Sequence, residues 1–208
     1  MIPDTLRCLY LHGFRSGPSS TKAQQTLSWF AQHDVAQNIH IPQLSADPTE
    51  AMDQAQFLYE QMVDEVGTEN CFIIGSSLGG YYASYLVERF GGRAVLINPA
   101  VRPYELLQDY LGELENFYNG EKFTVTQEYL GALKAMDTPL LHQPEHHLLL
   151  VQTHDETLDA MEAISKYRNS PCIIEYGGDH SYVDYPKRLP SILNFATQPY
   201  LVAQRQEQ

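Results

Sequence analysis

Basic residues are scarce in this chain: 13 Lys and Arg stand against 26 Asp and Glu, a formal net charge of −13 with histidine neutral. A surface of that sign repels phosphate backbones and anionic lipid headgroups, which argues against nucleic acid or a membrane surface as primary partner. Long apolar runs are missing too. The longest, such as Leu148 to Val151, fall far below the roughly 20 residues of a spanning helix. Met1-Ile2-Pro3-Asp4 has no basic region leading into an apolar stretch, so no secretory leader is expected. There are only three cysteines, Cys8, Cys71 and Cys172, and each sits in or beside a short apolar run where a reduced thiol packs as a small hydrophobe. A reducing, cytoplasmic location is the expectation. Hydrophobic residues at 43% and charged residues at 19% are close to the globular average, so wholesale disorder is excluded. A length of 208 residues suits one domain, spanning 1–208.

What is present is an alternation of short apolar runs with longer helical patterns. The runs Leu6 to Leu11, Ile39 to Ile41, Cys71 to Ile74, Ala94 to Ile97, Leu148 to Val151 and Cys172 to Glu175 are continuous rather than alternating, as in strands buried on both faces of a parallel sheet. Between them, Asp47-Pro48-Thr49-Glu50 combines an N-cap, a proline at the first helical position and a capping-box glutamate. Ala51, Ala55, Leu58, Met62 and Val66 then form one apolar face, and Gly67 stops the helix. Leu78 to Phe90 ends at Gly91-Gly92, and Thr157 to Tyr167 and Lys187 to Ala196 complete the set. This pattern predicts a three-layer α/β fold with about six mostly parallel strands. From Val101 to His146 no buried strand is evident, and aromatic residues crowd among charged ones. Such an excursion predicts an insertion, 101–146, serving as a short lid.

The sharpest local signal is Gly75-Ser76-Ser77-Leu78-Gly79, set between an apolar run and a helical pattern. A strand-to-helix turn of this kind is a nucleophile elbow: the serine stands at a strained corner, and flanking glycines avoid a clash there. Ser77 is therefore the candidate nucleophile, and Ser76 is expected to face away. A serine needs a base, which in this arrangement follows an acid along the chain. Gly177-Gly178-Asp179-His180-Ser181 after the last run nominates His180. The loop after the penultimate run offers Asp155, Glu156 and Asp159. Asp155, nearest the strand end, is the candidate acid; Glu156 should point elsewhere, Asp159 should lie inside the helix, and Asp179 should cap a turn. An oxyanion needs donors: the amide of Leu78, directly after the nucleophile, and that of Phe14, in the loop after the first run where Gly13 permits close approach. His12 is expected to fix that loop by hydrogen bonding. Tyr81, Tyr82 and Tyr85 are expected in the core. His142, Glu145, His146 and His147 match no standard ligand spacing and Pro144 interrupts them, so neither metal nor other cofactor is expected.

The chain also resembles the YqiA-like esterases, a small α/β-hydrolase family. The likeness rests on Tyr10-Leu11-His12-Gly13-Phe14 with Ser16 and Pro18, on the elbow through Tyr81, on Asn98-Pro99-Ala100-Val101-Arg102-Pro103, on Leu150-Val151-Gln152-Thr153 with Asp155-Glu156, and on the glycine-rich His180 loop. The resemblance implies hydrolysis of short acyl esters, small-molecule substrates, by a serine triad on a compact α/β-hydrolase fold. His154 stands where it implies a glycine. Two other readings remain beside the esterase: an acyl thioesterase, and a non-catalytic binding protein on a hydrolase fold.

Overall fold

The computed structural model describes residues 2–198. The chain enters through β1 (Arg7–Leu11), α1 (Thr21–Gln32), the two-residue β2 (Ile39–His40) and α2 (Pro48–Val66). The Asp47 side chain caps α2 by accepting from the amides of Thr49 and Glu50 at 2.9 and 3.0 Å, and Gly67, at φ 83°, ends it. Next come β3 (Cys71–Ser76), α3 (Leu78–Phe90) and β4 (Arg93–Ile97). The excursion that follows contains α4 (Pro103–Leu106), a hairpin of β5 (Gly112–Glu115) and β6 (Lys122–Val125), and α5 (Gln127–Ala135). The chain then returns through β7 (His147–Gln152), α6 (Ala160–Lys166), β8 (Cys172–Glu175) and α7 (Leu189–Ala196).

The main sheet has the order β2-β1-β3-β4-β7-β8, with every neighbouring pair parallel. The period-2 rule divides its side chains. Leu9, Leu11, Ile73, Leu96, Leu149 and Val151 pack with α2, α3 and α6 on one face. Cys8, Tyr10, Phe72, Ile74, Ile97 and Leu150 pack with α1 and α7 on the other. Both faces are apolar because both are covered, which is why the strands read as unbroken runs. The result is a three-layer α/β architecture.

Several expectations need correction. The structure adds α1, whose inward face holds Ala23, Thr26 and Phe30 and so lacks a conspicuous apolar stripe. The helix expected from Thr157 begins at Ala160, because Asp159 is its N-cap and accepts from the Met161 amide at 2.8 Å. The excursion holds a two-stranded antiparallel hairpin, whose half-exposed residues do not read as a buried run. Cys8 and Cys71 are buried, but Cys172 is exposed on the edge strand. Among the described residues, no helix is long and apolar enough to cross a membrane.

The elbow depends on α3 approaching the sheet closely. A Cβ on Gly79 would run into the backbone carbonyls of Leu11 and His12, and one on Gly75 into the backbone of Gly79. Neither neighbour is a side-chain tip that can swing aside. Gly79→Ala should therefore destabilise the protein by about 1–3 kcal/mol through overpacking, read as a lowered urea midpoint. A midpoint equal to wild type would show that α3 can slide off the sheet at no cost.

Candidate active site

Parallel strands bring all their C-terminal ends to one edge, and the strand order reverses between β1 and β3, where open α/β sheets leave a crevice. The register pairs Leu11 with Gly75, so the loop beginning His12-Gly13-Phe14 stands beside Ser76-Ser77. Ser77 adopts φ 56° and ψ −120°, a conformation that costs an L-residue about 1–3 kcal/mol. Neighbouring backbone holds it there. The Ser77 amide donates to Ile97 O at 3.0 Å, and its carbonyl accepts from the amides of Gly80 and Ala100 at 3.0 and 3.1 Å. Four further non-glycine residues with positive φ, Arg15, Asn98, Tyr182 and Asp184, lie in the loops at this edge.

Asp155 and His180 meet across the ends of β7 and β8. Asp155 Oδ2 lies 2.8 Å from His180 Nδ1; the carboxylate side chain is 1% exposed and the imidazole 25%. The other carboxylate oxygen accepts from the amides of Thr157 and Leu158 at 2.8 and 2.9 Å, which fixes its rotamer. Ser77 and His180 line the same cavities without a direct hydrogen bond between them, and catalytic pairs often close that contact only with substrate bound. Phe14 and Leu78 border one of these cavities beside Ser77. A Cβ on Gly13 would meet that of Ser77 at 3.0 Å, so any larger residue would push the two loops slightly apart.

Residues outside the motifs hold these loops in place. The Asn98 side chain donates to Asp179 O at 2.9 Å and accepts from the Gln152 amide at 3.0 Å. Gln152 Oε1 in turn accepts from the amides of Asp179 and Val183 at 3.2 and 2.8 Å. Three strand ends are thus cross-linked by two buried amides. Glu156, expected to point elsewhere, accepts from the His180 amide at 3.0 Å. Asp179 meets the loop through its backbone, and its Oδ1 is buried without a hydrogen-bond partner. Ser76 is buried, yet it borders the polar cavity rather than facing away. Tyr81 and Tyr82 are buried in the core. His154 packs edge-on against Tyr176. Asn98 and Gln152 carried a weak sequence signal: a polar residue at the C-terminal end of an apolar run.

Two cavities flank Ser77. One, of about 280 Å³, is walled by Phe14, Leu78, Ala100, Leu106, Leu107 and Tyr110. The other, of about 420 Å³, is lined by Tyr10, Arg15, Ser20, Lys22, Gln25 and Ser181 among others. His180 borders both. The excursion is latched to the loop after β1. Asn116 Nδ2 donates to Ser16 O at 2.8 Å and Arg15 Nε to Glu115 O at 2.7 Å, and the Phe14 ring packs edge-to-face on Tyr110 and Phe123. Among the described residues, no group of three or more His, Cys, Asp or Glu side chains is placed to hold a metal ion.

The sheet order, the elbow and the loops at this edge define an α/β-hydrolase fold. Solved structures of similar architecture include Est1E from Butyrivibrio proteoclasticus, with a TM-score of 0.65 at 14% identity, covering 92% of this chain and 86% of that one. LipS and LipT, two metagenome-derived lipolytic enzymes, are represented at 0.64 and 15%, covering 94% of each chain. The esterase domain of a Rhodothermus marinus protein matches at 0.59 and 16%, covering 93% and 82%. At such identities the likeness is one of fold. Residues 7–197 match the model of the uncharacterised protein family UPF0227, the YqiA family, and the chain belongs to it.

His12 is buried and braces the loop after β1. The Leu44 amide donates to its Nε2 at 3.2 Å, and its Nδ1 lies 3.1 Å from Gly13 O, a pattern that one neutral tautomer satisfies. Burial lowers its pKa below the ordinary 6.5. The unfolded chain therefore binds this proton at a pH where the folded chain does not, so the His12 contribution is lost as pH falls through 6.5. The stability advantage of wild type over His12→Gln should shrink across that window in urea unfolding. Parallel profiles would mean that His12 carries its proton in the fold.

Proposed function

We propose that this protein is a serine hydrolase that cleaves short-chain acyl esters through an acyl-enzyme. The observation that carries the reading is the meeting, at one cavity, of a serine held at φ 56° with a histidine whose Nδ1 lies 2.8 Å from a buried carboxylate. A binding protein gains nothing from a strained serine and a histidine oriented by an acid.

In this reading Ser77 Oγ attacks the ester carbonyl carbon while His180 Nε2 takes its proton, and Asp155 holds the imidazole tautomer and stabilises the imidazolium. The amides of Leu78 and Phe14 donate to the tetrahedral oxyanion. Collapse breaks the bond to the leaving oxygen, which receives the proton from His180. A water, deprotonated by His180, then attacks the acyl carbon, and breaking of the bond to Ser77 Oγ frees the acid and restores the enzyme. The segment 101–146 serves as a lid within a single domain: Leu106, Leu107 and Tyr110 roof the apolar cavity.

That cavity, about 280 Å³, lies just below the usual range of ligand pockets, about 300 to 1,000 Å³. Each methylene of an acyl chain gains about 0.8 kcal/mol only while apolar cover lasts. A p-nitrophenyl ester series should therefore peak in kcat/KM between acetyl and hexanoyl and fall at dodecanoyl and beyond. Ser77→Ala should lower turnover by about 10⁴-fold or more while keeping the wild-type unfolding midpoint. Ester turnover surviving in Ser77→Ala would overturn the nucleophile assignment. Palmitoyl-CoA outrunning every simple ester would favour the thioesterase reading instead.

A further inference from the structure

The polar cavity beside Ser77 carries two cationic side chains in a protein that is otherwise strongly acidic. Arg15 and Lys22 line it, and Asp184, the one carboxylate on its wall, is engaged by Lys187 at 2.7 Å. Neither cation has a carboxylate within salt-bridge reach among the described residues. Arg15 donates through Nε to a backbone carbonyl and lays its guanidinium over the Phe117 ring at 3.8 Å. Lys22, half-buried on the first turn of α1, donates to Ser181 O at 3.1 Å and, more weakly, to His180 O at 3.5 Å. A lysine carries three N–H donors, and backbone carbonyls neutralise none of its charge.

Placing an ammonium in such a wall without a counter-ion is costly. Burial lowers the Lys22 pKa, and the more distant carboxylates of Asp155 and Asp179 only partly offset it. An anionic group entering the cavity would restore the missing partner. Arg15, Phe117 and His180 border both cavities, but Lys22 lines only this one, and the two differ in the rest of their walls on either side of one serine. The apolar one suits an acyl chain. The polar one, with Ser20, Gln25 and Ser181 on its wall, suits a hydrophilic alcohol, and His180, which borders both cavities, is within reach of a leaving oxygen there.

We propose that the polar cavity is the leaving-group subsite of the ester hydrolase inferred above, and that it selects alcohols carrying an anionic oxygen group, a carboxylate or phosphate, through Lys22 assisted by Arg15. The preferred substrates are then short acyl esters of hydroxy acids or phosphorylated alcohols. The high negative charge elsewhere disfavours polyanions at long range, so one localised anionic group is the expected limit.

The test compares two butyrate esters with the same acyl group, one of p-nitrophenol and one of a carboxylated nitrophenol, at constant ionic strength. The two free phenols are also titrated against Ser77→Ala, a measurement that needs no turnover. Loss of a charge-assisted hydrogen bond typically weakens binding by about 10-fold or more. Lys22→Met should lower the carboxylated-to-neutral ratio of kcat/KM by at least about 10-fold, mainly through KM, and weaken the carboxylated phenol similarly when introduced into the Ser77→Ala background. Lys22→Arg should recover most of both. An unchanged ratio, with the two esters losing activity together, would overturn the proposal and leave Lys22 as a brace for the His180 loop. So would a carboxylated phenol that binds no more tightly than the neutral one. Failure of the hydrolase reading looks different: the neutral ester is then not turned over by wild type, or is still turned over by Ser77→Ala, while the phenol titrations still decide the subsite.

Discussion

The left-handed backbone of Ser77 is the constraint from which the rest of the site follows. An L-residue leaves that conformation unless its surroundings over-determine it, and here three backbone hydrogen bonds do so, two of them from β4 and the segment just after it. The glycines at 75 and 79 permit the approach, since any Cβ there would meet backbone. Sheet, helix and elbow thus hold one another in place. The close packing of α3 on β1 and β3 puts the turn at the strand edge, where Ser77 lines both cavities.

A second set of constraints concerns loops that would otherwise be free. His180 and Asp155 sit on separate connections after β8 and β7, 25 residues apart, and a loop has little to hold it but hydrogen bonds. Asn98 and Gln152 supply these from strand ends, where backbone position is already set by the sheet. Their amides are well suited to this, because each carries both donor and acceptor and so can join two loops at once. The Asp155 carboxylate, with two backbone amides on one oxygen and the imidazole on the other, completes the frame. Positive φ angles at Asn98, Tyr182 and Asp184 show that this frame, like the elbow, is held under backbone strain.

Charge is distributed unevenly for a physical reason as well. A net charge of −13 lies mostly on exposed helices and turns, where water screens it. Within the cleft, screening is weaker and single cations count for more. Lys22 and Arg15, two of only 13 basic residues, line the same cavity at the serine. Segment 101–146 contributes through contact rather than charge: its hairpin is tied to the loop after β1 by Asn116 and by the Glu115 carbonyl, so the aromatic wall and Arg15 are positioned together.

Much of this architecture is legible in the residues themselves, and the reasons are local. Buried parallel strands need apolar side chains on both faces, so the six strands announce themselves as runs; Asp47-Pro48 and Gly67 mark the ends of α2 through capping chemistry; and the Gly-x-Ser-x-Gly spacing encodes a tight turn whose steric demand lies within five residues. The candidate nucleophile, base and acid could be nominated because each sits just after a recognisable strand. The β5–β6 hairpin and α1 were hidden, since half-exposed strands and a helix facing the core through Ala23 and Thr26 leave no strong periodicity. The roles of Asn98, Gln152, Glu156 and Lys22 were hidden more deeply. Their partners lie 23 to 159 residues away in sequence, and which pairs meet depends on strand order and register, which no local pattern carries. Sequence determined where strands, helix ends and the elbow form, because those are contests settled within a few residues. Tertiary structure alone decided which loops share an edge, what braces them, and which of the few cations stands without a counter-ion beside the serine.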